Sequence, residues 1–221
     1  MHEDTLKNFL GFTASISTIL QFLTGALVCQ KVVTNKSTGD QSALPFVCGC
    51  LSTSLWLRYG FFIKDTSIIL VNSIGAALFF GYVITFALYS IRKFFQGVVC
   101  RQVSGCALTL TFILIYIQNV ASPPIAQRHL GLICTLMTIL FFGAPLVSLM
   151  HVLKVRSTES LPFPIILSSF LVSAQWMVYG VLLGDPYVQI PNFLGCVLTG
   201  FQLCLFYCFA QGSKGYSSEL I

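Results

Sequence analysis

Two asparagines and two tryptophans stand out in a chain of 221 residues that is 56% hydrophobic. Asn72, Asn192, Trp56 and Trp176 all lie inside long apolar runs. A carboxamide donates and accepts hydrogen bonds, as a hydroxyl does. An indole offers a broad apolar face with one polar edge. The four together would suit a neutral polyhydroxylated solute, with amides for its hydroxyls and rings for its C–H faces. Burying an amide without a partner costs roughly 2–7 kcal/mol. Each Asn must therefore meet a protein neighbour or a wetted cavity. A plainer role fits each residue taken alone: asparagine can bridge helices, and tryptophan can anchor at a membrane interface.

The four belong to a duplicated pattern. Trp56, Tyr59, Gly60, Asp65, Asn72 and Gly75 recur 120 residues later as Trp176, Tyr179, Gly180, Asp185, Asn192 and Gly195. The same shift carries Lys36-Ser37-Thr38 onto Arg156-Ser157-Thr158. Two apolar helices aligned by chance match Leu with Leu, not this set in register. A period of this length is two copies of a multi-helix unit, not a solenoid.

The elements that must position these residues are membrane spans. Only 9% of the chain is charged, against roughly 25% in a soluble domain, so most of its surface is expected to face lipid. About 20 mostly apolar residues cross a bilayer. By that measure the fold class is an all-α membrane protein with seven spans, near 9–29, 45–63, 67–90, 104–120, 130–152, 163–183 and 187–210. The fourth is read as the shortest and has no counterpart in either copy. The acidic start Met-His-Glu-Asp is unlike a signal peptide, so the first span is expected to be retained.

Lys31, Lys36, Arg92, Lys93, Arg101, Lys154, Arg156 and Lys214 fall on one side, against Lys7, Arg58, Lys64 and Arg128 on the other. The excess predicts an outside N-terminus and a cytosolic C-terminus. Three spans enter on one side and leave on the other, so an extra helix is needed to give both copies the same orientation. The arrangement read is 3+1+3. A first three-helix repeat (1–97) is followed by a linker helix (98–124), a parallel second repeat (125–212) and a short cytosolic tail (213–221). Each Asn then lies about 10 Å into its span at 1.5 Å per residue, level with the Trp of the preceding helix. The nine cysteines lack the spacing and His partners of a zinc site. They are read as small buried packing residues.

Leu44-Pro45-Phe46, Trp56-Leu57-Arg58-Tyr59-Gly60 and Val71-Asn72-Ser73-Ile74-Gly75 carry a resemblance to the SWEET family of sugar transporters. In the second half it is carried by Pro145, Ser160-Leu161-Pro162-Phe163-Pro164, Trp176-Met177-Val178-Tyr179-Gly180, and Asp185-Pro186-Tyr187 through Ile190-Pro191-Asn192. It implies a sugar pocket lined by Asn72, Asn192, Trp56, Trp176 and Ser52. It also implies an inner gate of four hinge prolines, here Pro45, Pro145 and Pro164 with Gly25 in the fourth place. An outer closure between tyrosine and carboxylate would fall to Tyr59, Tyr179 and Asp185. For those three, plain interfacial anchoring is the competing reading.

No acid stands mid-span to couple protons, no phosphate loop is found, and no paired nucleophile and base suggests an enzyme. No metal or cofactor is expected, and no long basic run suggests nucleic acid. The reading is a facilitative, bidirectional uniporter of monosaccharides such as glucose, working by alternating access. The plasma membrane is the expected location, with the Golgi or another internal membrane as the alternative. A homo-oligomer is left open. Two further readings compete: a proton-coupled PQ-loop transporter of another small polar solute, and a seven-span receptor that moves nothing. Phe46, where the former would carry Gln after proline, argues against the first. Twinned halves argue against the second.

Overall fold

The computed structural model describes residues 2–89, 97–119, 122–158 and 161–216. Ser90, Arg92, Lys93, Val120, Ser160 and the tail from 217 lie outside the described residues. The helices in chain order are α1 (His2–Thr34), α2 (Leu44–Ile63), α3 (Thr66–Tyr89), α4 (Val98–Asn119), α5 (Pro123–Leu140), α6 (Gly143–Val155), α7 (Phe163–Leu183) and α8 (Pro186–Tyr216). With α5 and α6 forming one broken span, seven segments among the described residues are long and apolar enough to cross a membrane.

Several expectations are corrected. α1 and α8 run well past the apolar windows that marked them, because hydropathy reports the lipid-buried stretch and a helix continues into polar ends. The shortest span is the second, with 20 residues, not the fourth, with 22. The fifth span breaks just ahead of Pro145, the proline expected to interrupt it. Pro145 has no N–H for the Phe141 carbonyl, and its ring crowds that oxygen. The chain answers with a tightened turn, in which the Phe141 N–H reaches Thr138 O (3.2 Å) and the Phe142 N–H reaches Ile139 O (3.0 Å). Of the nine cysteines only Cys29 and Cys134 are buried, and Cys204 and Cys208 are exposed.

The chain forms two compact units, Ser15–Cys134 and Met1–Ala14 with Thr135–Ile221. The core of the first gathers Cys29, Val32, Phe46, Val47, Tyr82 and Phe86. Phe46 meets Tyr82 edge-on at 5.4 Å and Phe86 at 5.1 Å between ring centres. The core of the second gathers Leu149, Val152, Leu161, Ile166, Leu198 and Leu205. Leu149, Val152 and Ile166 stand 120 positions after Cys29, Val32 and Phe46. The duplicated sequence has thus folded into duplicated packing. Outward-facing Phe12, Leu20, Phe80, Phe112, Leu140 and Val197 are exposed, as lipid-facing side chains should be.

Candidate functional site

The site residues ride on two matched helix hairpins, α2–α3 and α7–α8. Each hairpin turns on one left-handed residue, Lys64 (φ 54°) in the first and Gly184 (φ 67°) in the second. An aspartate then starts the next helix. Asp65 Oδ1 accepts the Ile68 N–H at 2.9 Å, and Asp185 Oδ1 accepts the N–H groups of Tyr187 (2.9 Å) and Val188 (3.4 Å). These are helix N-caps that satisfy donors the first turn leaves open. Both carboxylates are buried, at 8% exposure.

Asn72 and Asn192 each follow their cap by seven residues. Asn72 Nδ2 donates to Ile68 O at 2.9 Å, and Asn192 Nδ2 donates to Val188 O at 2.8 Å. Among the described residues neither carboxamide makes another hydrogen bond. One N–H fixes the side chain against its own helix, which leaves the oxygen and the second N–H uncommitted among the described residues. Asn72 is 9% exposed, and Asn192 is half-buried.

A tightly packed glycine follows each asparagine by one turn. A Cβ on Gly75 would lie 2.6 Å from the Phe22 ring and 2.9 Å from Thr53 Cγ2, and one on Gly195 would lie 2.7 Å from Ser173 Oγ and 3.4 Å from Phe142. Phe22 and Phe142, like Thr53 and Ser173, are 120 positions apart. The same three-way junction is therefore built twice. The indoles are held alike: Trp56 meets Tyr59 edge-on at 5.6 Å, and Trp176 meets Tyr179 at 5.4 Å, both at 89°. On α2 the neighbouring hydroxyls turn inward, Thr53 to Gly49 O (2.8 Å) and Ser54 to Cys50 O (2.7 Å). Ser52 is half-buried and makes no hydrogen bond among the described residues.

The expected hinge residues divide. Pro45 and Pro164 sit in the first turns of α2 and α7, where a missing N–H costs nothing. They begin spans and kink neither. Pro145 does break its span, whereas α1 runs unbroken through Gly25. Tyr59 and Tyr179 are buried, at 0% and 3% exposure.

Residues 8–94 and 128–214 each match the family described as "Sugar efflux transporter for intercellular exchange". The two matched stretches are offset by the same 120 residues as the internal repeat. The chain belongs to the SWEET family of sugar transporters. It is 44% identical over 211 residues to a protein named sugar transporter SWEET1 from Drosophila pseudoobscura pseudoobscura, covering 95% of this chain and 92% of the relative. A second SWEET1, from Caenorhabditis elegans, is 38% identical over 92% of this chain and 66% of its own. The solved structure of a eukaryotic SWEET transporter superposes with a TM-score of 0.81 at 28% identity, over 96% of this chain and all of that one. This SWEET-family chain is an integral, multi-pass membrane protein.

Sequence reasoning passed over two features of this SWEET. Tyr82 donates its phenol to Phe22 O at 3.1 Å, and Gln202, 120 positions later, donates to Pro145 O at 3.3 Å. Both tie the third helix of a repeat to the first. Their signal was the shared register of two polar groups in apolar runs. Pro191, inside α8, was read only as part of a motif. A cavity of about 250 Å³ lined by Val47, Cys50, Leu51, Phe80, Val83, Val103, Cys106, Ala107 and Leu110 is apolar, and offers a sugar nothing to bond.

Proposed function

We propose that this chain carries a neutral monosaccharide, such as glucose, down its gradient in either direction by alternating access. The observation that carries the reading is the twin Asn–Trp hairpin. Each repeat fixes a carboxamide with one bond to its own helix, keeps the rest of it uncommitted, and holds an indole edge-on against a buried tyrosine. Family membership supplies the solute class. In this reading Asn72, Asn192, Trp56, Trp176 and Ser52 bind the sugar near mid-membrane, and the chain is organised as repeats 1–97 and 125–212 with 98–124 as linker.

The inner ends, bearing Pro45, Pro145, Pro164 and Gly25, open when the outer side closes through Tyr59, Tyr179 and Asp185. The N-terminus faces outward, the C-terminus faces the cytosol, and the plasma membrane is the site of action. The carboxylates Asp65 and Asp185 serve as helix caps at span ends, which supports uniport. Uptake of labelled glucose by liposomes holding only this protein tests the reading. Flux that demands a pH gradient would sink uniport, and no flux of any hexose would sink the substrate.

A further inference from the structure

Pro191 lies inside α8 and is among the most deeply buried side chains of the chain. It has no N–H, so the carbonyl of Tyr187, four residues earlier, loses its helical donor. Within a span there is no water to replace that donor, and an orphaned carbonyl is costly. Thr135, on α5, supplies the missing bond: its Oγ1 donates to Tyr187 O at 3.1 Å. Thr135 is itself buried, at 8% exposure. In the first repeat the residue equivalent to Pro191 is Val71, which keeps its N–H and needs no such donor.

The bond bears on Asn192, the residue after Pro191. Asp185 Oδ1 holds the N–H groups of Tyr187 and Val188, and Asn192 Nδ2 hangs from the Val188 carbonyl. The carboxamide is therefore fixed to the one turn of α8 that proline has opened. We propose that Thr135 is a positioning residue for Asn192: its hydroxyl closes the proline-opened turn from α5 and so sets where the carboxamide meets the solute. The inference rests on the reading of Asn192 as a sugar-binding group.

The test compares Thr135→Val, which keeps the shape and loses the donor, with Thr135→Ser, which keeps the donor. Each is also made in a Pro191→Val background, where the restored N–H can bond Tyr187 O within the helix. Two quantities are measured: the melting temperature of the purified protein without solute, and the concentration dependence of labelled glucose uptake into liposomes. Thr135→Val should lower the melting temperature and raise the half-saturating glucose concentration roughly tenfold, with a smaller change in maximal rate. Thr135→Ser should restore both. With Val at 191, Thr135→Val should add little to either.

An equal loss from Thr135→Val in both backgrounds, or an unchanged half-saturating concentration, would overturn the proposal. So would equal impairment by Ser and Val, a comparison that stands even if Pro191→Val does not fold. Absence of any flux in the unmodified protein would defeat the sugar reading and with it the role toward Asn192. The melting temperatures would still decide whether Thr135 and Pro191 are coupled.

Discussion

The ring of Tyr82 lies against Gly25, so that a Cβ on Gly25 would fall 2.5 Å from Tyr82 Cε2. Tyr82 is locked there by its bond to Phe22 O (3.1 Å) and by edge contacts with Phe46 and Phe79. The first repeat thus has glycine and tyrosine where the second has Pro145 and Gln202. One copy keeps its first helix whole and braces it with an aromatic ring. The other breaks it with proline and ties the break with an amide. Gly25→Ala should destabilise the protein by about 1–3 kcal/mol through overpacking. Adding Tyr82→Leu should recover part of that loss, a coupling that thermal melts of the four-member cycle would measure. Strict additivity would contradict the contact.

The glycines beside the asparagines should respond unequally. At Gly75 an added methyl meets the Phe22 ring (2.6 Å), which Phe79 holds edge-on at 5.1 Å. At Gly195 the nearest atom is the Ser173 hydroxyl (2.7 Å), which rotates away cheaply. Gly75→Ala should therefore cost about 1–3 kcal/mol, and Gly195→Ala distinctly less. Melting temperatures of the two variants check the order. A larger loss at Gly195 would show that the junctions are packed otherwise.

The caps can be separated from the proposed outer closure. Asp65→Ala and Asp185→Ala should each lose about 1 kcal/mol of stability with the cap. Asn caps as well as Asp, so Asp185→Asn should melt near the parent while its uptake falls, because a charged acceptor for tyrosine is gone. Asp65→Asn is the control and should change neither. Unimpaired uptake by Asp185→Asn would remove the carboxylate from the gate.

Much of this was legible in the residues. The 120-residue offset of Trp, Tyr, Asp, Asn and Gly exposed the duplication, and the apolar runs placed the spans, because both signals are local or periodic. The ends of α1 and α8 were not legible, since hydropathy is silent on helix that leaves the lipid. The break at Pro145 was readable in kind, but not the i→i−3 turn that absorbs it. Thr135–Tyr187 and Tyr82–Phe22 join residues 52 and 60 positions apart. Such pairings depend on which helix packs where, and no single segment encodes them. The family resemblance suggested an outer closure for Asp185, while its bonds as a helix cap needed the geometry of the turn.

The most direct measurement is uptake of labelled glucose into liposomes by the unmodified protein, Asn72→Ala and Asn192→Ala, with no pH gradient imposed and with protein incorporation matched. The expected result is saturable flux in the unmodified protein and its loss in both variants, by at least about tenfold for a site left without a charge-neutral donor and acceptor. Near-normal uptake in both alanine variants would contradict a pocket built on the two carboxamides.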